Sequence, residues 1–213
     1  MEGRVVLLAG ATGLVGRELL AGLLADPAVA AVHSFGRRKP PQQHAKLTAH
    51  AVDFSALPAL PPGDEAYLAL GTTIKAAGSE SAFRAVDFDA NLAFAKAALE
   101  SGVRRAALVS AMGADPKSRV FYSRVKGELE AALSALAFDG VVFARPSLLV
   151  GDREALGQPA RLGERIGLRV SRLLGPLIPR NYLPIPAAKV AAALLGTLPT
   201  ASGRKVLLSG AMQ

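Results

Sequence analysis

Residues 10–16, the stretch GATGLVG, constrain this chain more than any other feature of its sequence. An apolar run, Val5-Val6-Leu7-Leu8-Ala9, leads into it. Arg17-Glu18-Leu19-Leu20-Ala21-Gly22-Leu23-Leu24 leads out, with leucines at helical spacing. The expected local structure is strand, tight turn, helix. Glycines at 10, 13 and 16 each serve that turn: Gly10 lets the strand reverse sharply, Gly13 lets backbone approach a pyrophosphate, and Gly16 lets the helix lie close to its strand. The unpaired N–H groups and the positive dipole end of the new helix then face the phosphates. Gly10, Thr12, Gly13, Leu14, Val15 and Gly16 are therefore candidate contacts for a dinucleotide.

Strand-like runs recur at 31–35, 47–54, 67–70, 105–109, 141–144 and 205–208, and helical patterns at 81–100, 122–133 and 187–198. This alternation predicts an α/β fold: a doubly wound, mainly parallel Rossmann sheet with helices on both faces and a short C-terminal extension on the substrate side. With 213 residues, 51% of them apolar, the chain can bury one large core. It reads as a single dinucleotide-binding domain over 1–213. Residues 151–186 are expected to form a small substrate-side cover whose proline-rich end, 176–186, is irregular and turns Tyr182 toward substrate.

The second strand ends in Gly36-Arg37-Arg38-Lys39. In an NAD site a carboxylate at this place accepts hydrogen bonds from the adenosine ribose, whereas a 2′-phosphate wants guanidinium. Arg37 and Arg38 thus point to NADP(H), against the plainer alternative of a solvated basic turn. Asp53 and Phe54 follow the third strand, either along the adenine edge or with Asp53 capping a turn. Leu70, Gly71, Thr72 and Thr73 close the fourth strand, leaving room for ribose and diphosphate and offering hydroxyls to bond them. Asp87 and Asn91 fall near the apolar face of the next helix, where structural hydrogen bonds are the expected role.

Ser110 ends the fifth strand, at the sheet edge where open parallel sheets bind ligands. Tyr122 and Lys126 then stand one helical turn apart on one face. A phenol with its ordinary pKa near 10 is a poor acid–base catalyst at neutral pH, and an adjacent ammonium draws it toward the working range. The order of glycine turn, serine at a strand end and Tyr/Lys pair makes Ser110, Tyr122 and Lys126 candidate catalytic residues, against the alternative of an ordinary surface helix.

On GATGLVGRELL, FGRRKP, LGTTIKAAGSE, LVSAMGAD, FYSRVKGELE and FARPSLLVGDR the chain resembles the short-chain dehydrogenase/reductase superfamily. The likeness is to its atypical members, similar to the human Tat-interacting oxidoreductase-like proteins. The resemblance runs over most of the chain and implies an NADPH-binding Rossmann fold. It assigns the tyrosine as proton donor to a substrate carbonyl, the serine as the group orienting that oxygen, and the lysine as holder of the nicotinamide ribose and tuner of the tyrosine. It also sets Pro146, Leu148 and Leu149 beside the nicotinamide, Lys126 counting among the cofactor contacts. Two departures stand out: the glycines read GxxGxxG rather than TGxxxGxG, and the tail is short for a sugar-binding lobe.

The expected activity is NADPH-dependent reduction of a small carbonyl substrate. One rival is an NADP(H)-binding sensor or regulatory interaction protein. Another is nucleotide-sugar epimerisation or dehydration, which the short tail disfavours. His33, His44 and His50 lack metal-ligand spacing, and no GxSxG elbow, Walker lysine or cysteine occurs, so zinc, hydrolytic, nucleoside-triphosphate and thiol chemistry drop out. The net charge of +8 suits nucleic acid, an acidic membrane surface or an anionic ligand, and sparse aromatics without tryptophan argue against nucleic acid. Arg161, Arg165, Arg169 and Arg172 form a stripe suited to an acidic partner or a membrane surface, or else to a solvated, core-covering helix. The absence of an apolar leader or membrane-length run points to a cytoplasmic protein, a monomer or small homo-oligomer.

Overall fold

The structure is a computed structural model, and it describes residues 3–151 and 179–213. The arginine stripe and most of the expected 151–186 cover lie outside the described residues.

Seven parallel strands form the central sheet: β1 (Arg4–Ala9), β2 (Val29–Gly36), β3 (Leu47–Ala51), β4 (Glu65–Leu68), β5 (Arg105–Val109), β6 (Gly140–Arg145) and β9 (Gly203–Leu208). Their spatial order is β3-β2-β1-β4-β5-β6-β9. The order reverses direction between β1 and β4, and at such a switch point the loops leave the strand ends on opposite faces and open a crevice. A separate parallel pair joins β7 (Leu149–Val150) to β8 (Ile185–Pro186).

Central strands of a doubly covered parallel sheet have no wet face, which is why Val6-Leu7-Leu8-Ala9 is continuously apolar and wholly buried. Successive side chains still alternate between the two faces. Val6 and Leu8 pack with Leu19, Leu20 and Leu23 of α1 (Leu14–Ala25) and with Val190, Ala191 and Leu194 of α6 (Ala187–Thr197). Leu7 and Ala9 pack on the other face with Phe94, Ala95 and Ala98 of α4 (Asn91–Glu100) and with Leu129 and Leu133 of α5 (Phe121–Ser134). Among the described residues no helix is long and apolar enough to cross a membrane.

Three local expectations are revised. β3 stops at Ala51 because Asp53 folds the chain into a turn, its Oδ1 accepting from the Ser55 amide at 2.9 Å. β4 covers Glu65–Leu68 rather than 67–70, so Ala69 to Thr72 lie beyond the strand end. The helical stretch 81–100 is not uniform. α2 (Ile74–Ala77) and α3 (Glu80–Arg84) precede a π-helical segment, Ala85–Ala90, before α4 begins. A π turn costs regular hydrogen bonding and carries no apolar signature of its own, so periodicity reads through it.

At the outer strands, His33 Nδ1 and His50 Nε2 lie 3.1 Å apart, and the His50 ring stacks on Phe35 at 4.5 Å. Burial lowers the pKa of both below the usual 6.5, helped by His50 acting on His33 and by Lys39 acting on His50. A lowered folded value means that the fold favours neutral imidazole. The stability this contributes is present above the unfolded value and is lost as pH falls through the folded values. The melting temperature should therefore drop as pH falls below about 6.5. His50→Phe, which keeps a ring on Phe35, should flatten that drop in melts across this range. An unchanged slope would remove the pair as its cause.

Candidate functional site

The GATGLVG turn has the geometry its glycines suggested. Gly10 adopts φ +89°, and a Cβ there would sit 2.6 Å from the carbonyl oxygen of Ala69. A Cβ on Gly16 would come within 2.0 Å of the Gly10 carbonyl oxygen, so α1 lies on its strand as closely as two backbones allow. Gly13 is the N-cap of α1, no side chain caps it, and the first turn carries no acidic residue. The amide donors of that turn are thus left for an anion.

Above the switch point lies a crevice of about 670 Å³. It is walled by the segments that follow four parallel strands: Gly10, Thr12 and Gly13 after β1, Arg37 and Arg38 after β2, Asp53 and Phe54 after β3, and Leu70, Gly71 and Thr72 after β4. Ten expected cofactor contacts therefore share one cavity. Arg37 and Arg38 are exposed and make no ion pair among the described residues. Asp53 both lines the crevice and caps its turn, so the two alternatives for it are compatible. The Ser55 amide and hydroxyl hold its carboxyl below the ordinary range. The far wall is the π segment, through Ala85, Val86, Asp89 and Ala90, which sequence reasoning missed.

Other expected contacts stand outside this cavity. Leu14, Val15 and Gly16 are buried in α1. Thr73 caps α2, its Oγ1 accepting from the Ala76 amide at 3.1 Å. The Pro146 carbonyl accepts from Met112 N–H at 2.9 Å, the Leu148 carbonyl accepts from Ile185 N–H at 3.0 Å, and Leu149 belongs to β7.

Tyr122 and Lys126 stand on α5, and Ser110 touches the same helix further along, at Glu130. Tyr122 is half-buried in its first turn, with its ring 5.4 Å from that of Phe83. The loop after β5 is pinned to the same turn by Asp115 N–H donating to the Ser123 carbonyl at 3.1 Å. Lys126, one turn further, is 4% exposed and forms an ion pair at 2.7 Å with Asp87, itself 1% exposed. Burial by itself drives that ammonium to lose its proton. Asp87, with Tyr122 and Glu130, more than offsets this, and Lys126 is held above the ordinary lysine range. Ser110 Oγ donates to Glu130 Oε1 at 2.5 Å, and Arg145 donates to both oxygens of the same carboxylate, at 3.0 and 2.6 Å. The serine hydroxyl thus belongs to a buried Ser–Glu–Arg network.

None of Ser110, Tyr122 and Lys126 walls the crevice, yet one residue joins the two places. Asp87 Oδ2 accepts from the Thr72 amide at 2.8 Å on the crevice wall, while Oδ1 holds Lys126. Asn91, expected to make structural hydrogen bonds, donates from Nδ2 toward the carbonyls of Leu70, Val86 and Asp87 and ties the π segment to the end of β4. A charge on an apolar helix face implies a buried counter-charge. That signal, Asp87 among Phe83, Val86 and Phe94, was legible in the sequence, but its partner was not.

No family model matches the chain. It is 42% identical over 161 residues to the mitochondrial protein fmp52 of Emericella nidulans, a match spanning 70% of this chain and 68% of the relative. To the mitochondrial protein FMP52 of Coccidioides immitis it is 31% identical, spanning 95% of this chain and 92% of the relative. Among solved structures it superposes with a TM-score of 0.70 on a short-chain dehydrogenase/reductase superfamily protein from Agrobacterium tumefaciens with bound NAD. That pair is 16% identical and covers 96% of this chain and 77% of the other. The fold is thus the one implied by the resemblance to that superfamily. The naming of the relatives as mitochondrial overturns the expected cytoplasmic location. That expectation rested on the lack of an apolar leader, a criterion blind to amphipathic organelle addresses.

Proposed function

We propose that this chain, which belongs to the family of Fmp52 proteins, is an NADPH-dependent oxidoreductase of the short-chain dehydrogenase/reductase type that reduces a small carbonyl compound. The observation that carries this reading is the crevice walled both by Gly13, where α1 begins without a side-chain cap, and by Arg37 and Arg38, which make no ion pair among the described residues, and linked through Asp87 to the helix bearing Tyr122 and Lys126. The α1 amides suit a diphosphate, and the guanidinium groups of Arg37 and Arg38 suit a ribose 2′-phosphate. NAD bound to the Agrobacterium tumefaciens neighbour supports a nicotinamide dinucleotide here.

A bound dinucleotide would supply the hydride for such a reduction. Tyr122 gives its phenolic proton to the carbonyl oxygen, so that an alcohol forms and phenolate remains. Lys126, one turn along α5 and held charged, stabilises that phenolate until solvent returns the proton. The Phe83 ring fixes the phenol's orientation. Ser110 orients the substrate oxygen only if its hydroxyl leaves Glu130.

That commitment of Ser110 is the one observation favouring a second reading, an NADP(H)-binding sensor with little turnover. NADPH oxidation measured across a panel of aldehydes and ketones separates the two: saturable consumption supports the enzyme, and tight NADPH binding without consumption supports the sensor.

Cofactor choice has its own test. Changing Arg37 and Arg38 together to alanine should weaken NADPH binding by about 10–100-fold, the loss of about one charge-assisted hydrogen bond, and leave NADH binding nearly unchanged. Titrations of both nucleotides measure this, and equal weakening would reject the assignment.

A further inference from the structure

We infer that Asp87 is a positioning residue that ties the crevice wall to Lys126, holding the lysine in place as an ammonium through one carboxylate shared between Thr72 N–H and Lys126 Nζ. The inference rests on the reading of Tyr122 and Lys126 as the reacting site and goes beyond it, since nothing in the motif Tyr-x-x-x-Lys calls for a carboxylate.

The geometry is specific. Asp87 is supplied by the π segment, a form found preferentially at functional sites. The segment is anchored by the Asn91 side chain to the Leu70 carbonyl, so its position follows the end of β4. Oδ2 takes the Thr72 amide at 2.8 Å, and Thr72 lines the crevice. Oδ1 faces Lys126 Nζ in an ion pair at 2.7 Å, both side chains almost wholly buried.

A lysine so deeply buried would shed its proton without a counter-charge. Among the described residues, the charged or titratable groups acting on it are Asp87 from the π segment and Tyr122 and Glu130 from its own helix. Arg145 of β6, behind Glu130, already neutralises that carboxylate. Asp87 is therefore the group on which the ammonium depends. A wall that shifted on ligand binding would move Thr72, and with it Asp87 and the lysine.

The test uses Asp87→Asn, which retains the shape and an oxygen for Thr72 and removes the charge. Lys126 is followed by the NMR shift of ¹³Cε in lysine-labelled protein, its signal assigned by loss in Lys126→Met. In the native chain the signal should not titrate below the ordinary value of 10.5. In Asp87→Asn it should titrate at a pH lower by about 1–3. NADPH-dependent turnover of the variant should then fall about tenfold for each pH step of one above that new value and recover on acidification. Asp87→Glu, which restores the charge, should move both readouts back.

A purely structural role would lower turnover equally at every pH and leave the lysine titration in place, and this would overturn the inference. If Asp87→Asn does not fold, the native chain decides: a Lys126 that loses its proton below 10.5 overturns it. A lowered titration in the variant together with no NADPH oxidation by any form would support the role of Asp87 and refute the carbonyl reduction instead.

Discussion

Replacing Tyr122 with phenylalanine is expected to lower kcat for NADPH-dependent carbonyl reduction by about 10²–10⁴-fold, the range of a single general acid, while NADPH affinity stays nearly the same. The change removes one oxygen. Among the described residues that oxygen has no hydrogen-bond partner, and the ring contact with Phe83 at 5.4 Å survives. Folding should therefore be indifferent to it, and a fall in kcat with an unchanged melting temperature isolates the proton transfer. Steady-state kinetics beside nucleotide titration measure both quantities. Undiminished turnover would remove Tyr122 from the reaction and leave a nucleotide holder.

Gly16→Ala is expected to cost about 3 kcal/mol of stability, the upper part of the range for overpacking. For a chain of this size that is a fall of about 6–12 °C in melting temperature. The magnitude follows from what the new methyl meets: the Gly10 carbonyl oxygen at 2.0 Å, its carbon at 2.8 Å and the Ala11 Cα at 3.1 Å. All three are backbone atoms, and none can rotate away, so α1 must lift from the end of β1. The same displacement moves the α1 amides, and NADPH affinity should fall with stability. Gly196→Ala in α6 is the control, because nothing lies within 4 Å of its added methyl. It should leave the melting temperature level or raise it slightly. Equal effects at both positions would mean that helix propensity, not the close approach, decides.

Strand, turn and helix at the N-terminus were legible because each is a local rule: an apolar run with no polar alternation, glycines where backbone crowds, leucines at helical spacing. Parallel pairing followed from the alternation of strands and helices, and the crevice from the way such a sheet reverses direction. Arg37 and Arg38 could be placed at its rim for the same reason, since they close the second strand. The extent of β3 was harder. Asp53 bends the chain through its own side-chain hydrogen bond, and a residue that serves both a turn and a cavity sends two signals.

By itself the sequence determined the layered sheet, the dinucleotide turn and the shared face of Tyr122 and Lys126, because these depend on residues within a few positions of one another. Only the tertiary structure decided where the buried charges go. Asp87 meets Lys126 across two elements, Ser110 gives its hydroxyl to Glu130 rather than to open space, and a π segment carries the carboxylate. The physical reason is that a charge without water takes whatever counter-charge the packed helices bring within reach. That neighbour is set by how α4 and α5 lie on the sheet, which no spacing along the chain encodes.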